Sequence, residues 1–366
     1  MTAVHDGAYT RLIDARLTTL HEEGAQTFGA LLSGCRGADP TTVAQRLAAM
    51  NVRVRSGDLS AWTPTHWRPG LHPLRSEWYF TPQCATALAQ RFGARSLACL
   101  GAPTVAASAS AVLLDHDATT IRARFGDQIP QVIACDLASV AALPLPQSVR
   151  TIVADPPWYA PHPLRWLALA ANAVGCGGTV AMVLPPELQR PTAVAQRAAA
   201  SAAASDIGLV QVERDAVRYA TPLFEAIAMQ AAGIELPRAW RSADLLVLTV
   251  QRPPGALAAT TPTASQPETF TIGDQLVTLS ATQRAGPPSL TPIAGTRAFV
   301  WDQVSMRDPR ISSIDVWTSR SRVATVRGHH DVRRALLRMT EGASVADACK
   351  DHRLATALSS LLDQAD

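Results

Sequence analysis

The chain has 366 residues, 47% of them hydrophobic but only 5% aromatic, with a formal charge of +3 and six cysteines. That length and apolar content allow a large core and more than one domain, and they exclude a disordered chain or a small disulfide-framed one. The basic side chains are almost all arginine, Lys350 being the only lysine, and so mild a charge neither demands nor excludes a phosphate-bearing partner.

Cys35, Cys84, Cys99, Cys135, Cys176 and Cys349 are scattered without a C-x-x-C, and His329-His330 is an adjacent pair whose rings diverge. Reduced thiols and no metal site are expected. No charged-then-apolar leader and no long apolar run is read, so the expectation is a cytoplasmic protein that does not span a membrane.

Residues 1–75 read as a helical segment followed by a loop. Leu12, Leu17 and Leu20, then Phe28, Leu31 and Leu32, recur at helical spacing, and Asp39-Pro40 opens a further helix carrying Val43, Leu47 and Met50. The stretch from Trp62 to Pro73 is rich in Trp, Pro and His and reads as loop. Next, in Trp78-Tyr79-Phe80-Thr81-Pro82, Thr81 can cap and Pro82 can open a helix running from Ala85 to Phe92.

Four apolar strands then end on chemistry-bearing residues. Ser96 to Leu100 ends at Gly101, and Ala111 to Leu114 ends at Asp115-His116-Asp117. Gln131 to Cys135 ends at Asp136-Leu137, and Ile152 to Ala154 ends at Asp155-Pro156-Pro157-Trp158-Tyr159. In an open α/β sheet ligands bind at the carboxyl ends of strands. A glycine there permits close backbone approach, and a carboxylate matches the two hydroxyls of a ribose, a role open to Asp115 or Asp117. The last loop offers a carboxylate, a prolyl carbonyl and flat rings, which together suit a planar amine.

Asp155-Pro156-Pro157-Trp158 resembles the D-P-P-W signature of amino-methyltransferases that use S-adenosylmethionine, above all the N6-adenine enzymes. Tyr79-Phe80-Thr81-Pro82 is similar to the F-Y-T-P motif that precedes the cofactor strand in N6-adenine DNA methyltransferases. The resemblance covers roughly residues 76–250 and implies a doubly wound, seven-stranded class I methyltransferase (Rossmann-like) α/β sheet. It implies that S-adenosylmethionine is held by Phe80, Thr81, Pro82, Gly101, Asp115 or Asp117, Asp136 and Leu137. Catalysis then falls to Asp155, Pro156, Pro157 and Trp158, with Trp158 and Tyr159 on the substrate. The family's glycine strand carries more than one glycine where this chain has Gly101 alone. The segment order is that of the DNA enzymes, whereas the letters DPPW are typical of messenger-RNA enzymes, so DNA, RNA and a free nucleotide all stand as substrates. Two other readings stand beside this one, an aminopropyl or polyamine transferase and a non-catalytic nucleic-acid-binding scaffold.

The sheet is expected to continue with a helix over Pro163–Val174, a strand over Gly178–Leu184 and a helix over Val194–Ala204. A strand over Val210–Tyr219, a helix over Leu223–Ala232 and a strand over Asp244–Val250 complete it. The stretch Tyr219-Ala220-Thr221-Pro222-Leu223-Phe224-Glu225 reads as packing, with lining of the substrate side as the other reading. Residues 251–268 read as linker and 269–366 as a small α+β domain. Its strands are expected over Phe270–Leu279, Ala298–Val304 and Ile314–Val326, and its helices over Asp331–Met339 and Val345–Leu362. From Arg297 to Arg338 arginines far outnumber acids and Trp301 and Trp317 are interleaved, a composition suited to a nucleic-acid backbone.

Overall fold

The structure is a computed structural model that describes residues 3–38, 40–54, 78–93, 96–158, 161–221, 239–254, 268–273, 275–280, 283–292, 314–318 and 322–362. These residues form two compact units, one reaching to residue 254 and one starting at residue 268.

The strands of the first unit are β1 (Leu97–Leu100), β2 (Val112–Asp115), β3 (Gln131–Ala134), β4 (Thr151–Ala154), β5 (Thr179–Leu184), β6 (Gly208–Tyr219) and β7 (Arg241–Val250). They form one sheet of order β3-β2-β1-β4-β5-β7-β6, in which β1 to β5 are parallel and β7 runs antiparallel to both neighbours. This is the seven-stranded doubly wound sheet expected from the sequence. Its central strands are apolar throughout because helices cover both faces. The edge strand β6 is exposed at most positions until Val217 and Tyr219 turn inward.

Helices of this unit are α1 (Ala3–Glu22), α2 (Phe28–Gly34), α3 (Pro40–Ala49), α4 (Pro82–Phe92), α5 (Pro103–Ala109), α6 (Ala118–Phe125), α7 (His162–Val174) and α8 (Ala193–Ser205). Small side chains let them lie close to the sheet: Ala170, Ala171, Ala200 and Ala204 are buried against Ile152, Val180, Met182 and Leu248. The order of strands reverses between β1 and β4, so the carboxyl ends of these two neighbours flank the crevice where such sheets bind ligands. The first three helices bury Ile13, Leu17, Leu31, Leu32 and Val43, and a bidentate Arg46–Asp14 pair at 2.7 and 2.8 Å joins α3 to α1. The helix expected over Leu223–Ala232 lies outside the described residues.

The second unit has β8 (Glu268–Ile272), β9 (Gln275–Leu279), β10 (Ser289–Pro292), β11 (Val316–Thr318) and β12 (Val323–Arg327) in an antiparallel sheet of order β10-β12-β11-β9-β8. With α9 (His329–Thr340), α10 (Val345–Ala348) and α11 (His352–Leu362) it encloses Phe270, Val277, Leu279, Val326, Leu336 and Leu358. Four details depart from expectation. The run Phe270–Leu279, expected as one strand or hairpin arm, falls in both β8 and β9, which pair antiparallel. The run Ile314–Val326 is two paired strands, and Ser289–Pro292 is a strand that the sequence reading did not mark. The run Val345–Leu362 is two helices, because Ser344 caps the first and the Asp351 carboxylate accepts from the Arg353 and Leu354 amides at the start of the second. The segment Ala298–Val304 and Trp301 lie outside the described residues.

Candidate active site

The strand ends that the sequence singles out lie along one edge of the sheet. The Asp155 amide donates to the Leu100 carbonyl at 3.0 Å, that of Gly101 to Leu114 at 3.1 Å, and that of Cys135 to Asp115 at 2.9 Å, so the ladder runs one residue beyond each strand. Gly101 and Asp155 are therefore neighbours across the switch point. Gly101 has φ +60°, and a Cβ on it would lie 2.9 Å from the Trp166 ring of α7 and 3.1 Å from the Asp155 carbonyl. This packing and the left-handed φ by themselves require a glycine here.

Asp115 closes β2 and is buried, and its Oδ1 accepts from the Asp117 amide at 2.9 Å. Asp117 instead begins α6, its carbonyl accepting from the Ile121 amide. At the end of β3, Asp136 is half-buried, and its Oδ1 accepts from the Ala138 amide at 3.0 Å. Leu137 is buried, and its carbonyl accepts from Arg165 Nε of α7 at 2.9 Å. His162, on the first turn of α7, faces this loop: burial lowers its pKa, opposed by the Asp136 charge and assisted by Arg165. The sequence reading did not mark His162. Thr104, on the first turn of α5 after Gly101, has a buried hydroxyl with no protein partner among the described residues.

Asp155 is half-buried, Pro156 is buried, and Pro157 and Trp158 are half-exposed. Tyr159 lies outside the described residues. The Asp155 carboxylate does not stand alone, because the Tyr219 hydroxyl donates to its Oδ1 at 2.7 Å. Tyr219 comes from the far end of β6, 64 residues on, and only pairing of distant segments brings it here. Residues 79–81 run beside 218–220, with Thr81 N–H to Arg218 carbonyl at 2.9 Å and Ala220 N–H to Tyr79 carbonyl at 2.8 Å. Burial, the Asp155 charge and the hydrogen bond raise the phenol well above its ordinary pKa, with Trp158 acting the other way, so it stays a protonated donor.

The walls around this pair are aromatic. Ring centroids of Phe80 and Trp158 lie 4.9 and 5.4 Å from that of Tyr219, and Trp78 meets Tyr219 edge-on at 6.4 Å. The Arg241 guanidinium lies 3.5 Å over the Trp78 ring. Thr81 accepts from the Cys84 amide at 3.3 Å and Pro82 opens α4, so the expected cap is formed and Phe80 is held inward at 1% exposure.

A buried ion cluster supports β6. Asp244 of β7, 1% exposed, accepts from Arg197 of α8 at 2.6 Å, from the Asp215 amide at 2.7 Å, and from Arg36 in the loop after α2. Burial by itself would raise the Asp244 carboxyl, but the Asp215 amide and the two arginines outweigh it and hold it below its ordinary value. Asp215 has φ +57° and sits in a bulge where five residues of β6, Glu213 to Val217, run against three of β7, Leu245 to Ala243. Among the described residues there is no group of three side chains able to hold a metal ion, and no helix is long and apolar enough to cross a membrane.

No protein-family model matches the chain, and no curated protein matches its sequence. Similar solved structures include the branched-chain polyamine synthase of Thermus thermophilus in complex with N4-aminopropylspermidine and 5′-methylthioadenosine, and a mutein of it. Each is 18% identical with a TM-score of 0.48, over 66% of this chain and 88% of the other. A provisionally assigned class I S-adenosylmethionine-dependent methyltransferase of Listeria monocytogenes is 10% identical with a TM-score of 0.32, over 68% of this chain and 88% of the other.

Proposed function

We propose that the first unit is a transferase that uses S-adenosylmethionine to methylate an exocyclic amine, with adenine N6 in DNA or RNA as the acceptor its residues fit best. The observation that carries this reading is the Asp155 carboxylate. It emerges from β4 beside Gly101 at the switch point, is fixed by the Tyr219 hydroxyl, and has the Trp158 ring three residues on.

The donors along the sheet edge fit the cofactor. Asp115 is the better placed of the two candidate acids, since it ends β2 and its rotamer is set by the Asp117 amide, leaving a carboxylate for the ribose hydroxyls. The orphaned Thr104 hydroxyl gives a polar ligand group a partner. Asp136 and Leu137 are assigned to the adenine amino group and ring face, and the Phe80-Thr81-Pro82 turn to the methionine end. When bound, the cofactor supplies an electrophilic methyl carbon on a sulfonium.

The protein's own part is alignment. An amine that gives one hydrogen to Asp155 and the other to the Pro156 carbonyl has its lone pair directed away from both, while Trp158 stacks on the attached ring. No strong base is required, because the nitrogen's proton becomes acidic only after the new bond forms. Tyr219, kept protonated, prevents the carboxylate from rotating out of this pose. A base that starts in a duplex must first be flipped out.

A second reading, aminopropyl transfer to an aliphatic polyamine, is favoured by the aromatic walls around Asp155, which suit an ammonium ion. Arg241 over Trp78 counts against it, since a cation already covers that face. The test is incubation with labelled S-adenosylmethionine or its decarboxylated form, each with DNA, RNA, nucleotides and spermidine separately, followed by mass spectrometry. N6-methyladenine or N6-methyladenosine supports the first reading, and a spermidine product made only from the decarboxylated form replaces it. Calorimetry showing that neither cofactor binds refutes both and favours a non-catalytic scaffold.

A further inference from the structure

We propose that the second unit carries a phosphate-binding cavity, formed by Arg338 and Lys350, that holds the backbone of a polynucleotide. The proposal rests on the reading of the acceptor as a base in DNA or RNA, and adds where the chain grips that polymer.

The arginine-rich composition of this region does not by itself define a surface, because half of the cations described in this unit are engaged internally. Arg284 pairs with Asp315 at 2.7 Å, Arg333 makes a bidentate pair with Glu268 at 2.6 and 2.8 Å, Arg334 pairs with Asp331, and Arg322 donates to the Ser360 carbonyl. Arg327, Arg338, Lys350 and Arg353 have no acidic side-chain partner for their charged groups among the described residues, and all four are exposed.

Two of these four, Arg338 and Lys350, line one concavity. A cavity of about 300 Å³ lies between α9 and the start of α11, bounded by Arg334, Arg338, Lys350, Asp331, Asp351 and Pro288, with Ala348, Cys349 and Leu354 completing it. Of its two acids, Asp331 pairs with Arg334, while Asp351 accepts from the amides of Arg353 and Leu354 and keeps its charge, so the lining carries a net single positive charge. Arg338 and Lys350 bring a fork and a point charge to its wall, a combination that suits a phosphate.

Arg327 lies close to the Pro288 wall of the cavity without lining it. Gly328, the N-cap of α9 at φ +61°, packs so closely on Pro288 that a Cβ would lie 2.7 Å from the Pro288 Cα, and Gly286 lies under the Arg327 side chain. The Gly286–Pro288 turn thus links Arg327 to the cavity wall. Two exposed cations at one concavity, with a third near its wall, suit successive phosphates better than a single small anion.

The test uses the full chain and labelled single-stranded and duplex oligonucleotides, of both DNA and RNA, with affinity measured by anisotropy across a salt series. The R338E/K350E variant is expected to bind more weakly. Loss of two phosphate contacts lowers the slope of log affinity against log salt by about 1.8 on duplex DNA and about 1.4 on single strands. R338K/K350R, which keeps both charges, is expected to bind nearly as the parent does, and thermal melting checks that both variants are folded. Unchanged affinity and slope in folded R338E/K350E overturn the proposal, as does a parent chain that binds none of the four oligonucleotides. Competition by inorganic phosphate as effective as by an equal phosphate concentration in oligonucleotide would mean a small-anion site and would also overturn it. Binding is read apart from transfer, so a chain that grips oligonucleotides in this way but methylates none of them sinks the transferase reading alone.

Discussion

Replacing Asp244 by alanine is expected to destabilise the first unit by about 3 kcal/mol. Breaking a buried ion pair typically costs 3–5 kcal/mol because the partner is left charged and unsolvated. Here Arg197, with a side chain 10% exposed, keeps the Pro185 carbonyl at 2.7 Å, and Arg36, 23% exposed, keeps Asp215 at 3.3 Å, so the low end applies. For a unit of this size that corresponds to a fall in Tm of roughly 6–12 °C, readable by calorimetry. Asparagine should cost less, since its amide oxygen can still accept from the Asp215 amide. Because the Asp244 carboxyl is held below its ordinary 3.8 when folded, its contribution is present above that pH and is lost as pH falls through the folded value. The gap between parent and alanine variant should therefore narrow in acid below about pH 4. An alanine variant within about 1 kcal/mol of the parent at pH 7, or a gap that widens in acid, would refute the reasoning.

Asp155→Ala is expected to leave cofactor affinity within about threefold, roughly 0.6 kcal/mol, and to abolish transfer, as calorimetry paired with a single-turnover assay would show; a fully active variant contradicts the assigned role. Tyr219→Phe removes the donor at 2.7 Å but keeps the ring, and because Asp155 is only half-buried, water can replace part of the bond. A fall of about tenfold in kcat/KM is expected, with little change in Tm, and an unchanged rate would show that the hydroxyl only fills space. Gly101→Ala forces a Cβ toward Trp166 and the Asp155 carbonyl at a left-handed φ, and should cost about 2–4 kcal/mol together with a loss of cofactor affinity. A stable variant with parental affinity would mean that Trp166 moves aside freely.

The edge of the sheet was legible because each of its parts is local. An apolar run that stops on glycine or an acid reports a strand end within a few residues, and Asp155-Pro156-Pro157-Trp158 is contiguous. The Thr81-Pro82 cap was legible for the same reason. Tyr219 was not, because its meaning depends on a bulge in β6 and on pairing with the distant segment around Phe80, and in sequence it is one more ring at the end of a charge-rich strand. Nor could composition tell Arg338 from Arg333. Both are arginines on one helix, and only the fold places Glu268 opposite one and leaves the other at a cavity. The break within Val345–Leu362 did have a local signal in Asp351, whose capping side chain outweighed the helical spacing of the apolar residues on either side.

The bulge ties the N-terminal helices to the chemistry. From Glu213 opposite Leu245 to Val217 opposite Ala243, β6 advances two residues more than β7, so Tyr219 ends opposite Arg241. Regular pairing would put it two positions further on, about 6–7 Å beyond the sheet edge, a displacement that a 2.7 Å hydrogen bond to Asp155 could not survive. The bulge keeps a left-handed Asp215 because its amide has a buried acceptor, Asp244, and Asp244 can be buried as a carboxylate because Arg197 meets it from α8 and Arg36 from the loop after α2. Tyr9 of α1 adds a second tie, donating to the Leu188 carbonyl in the loop after β5 at 2.9 Å. The first fifty residues therefore do more than cover the sheet: one guanidinium from them helps to fix the register that aims the phenol at the carboxylate.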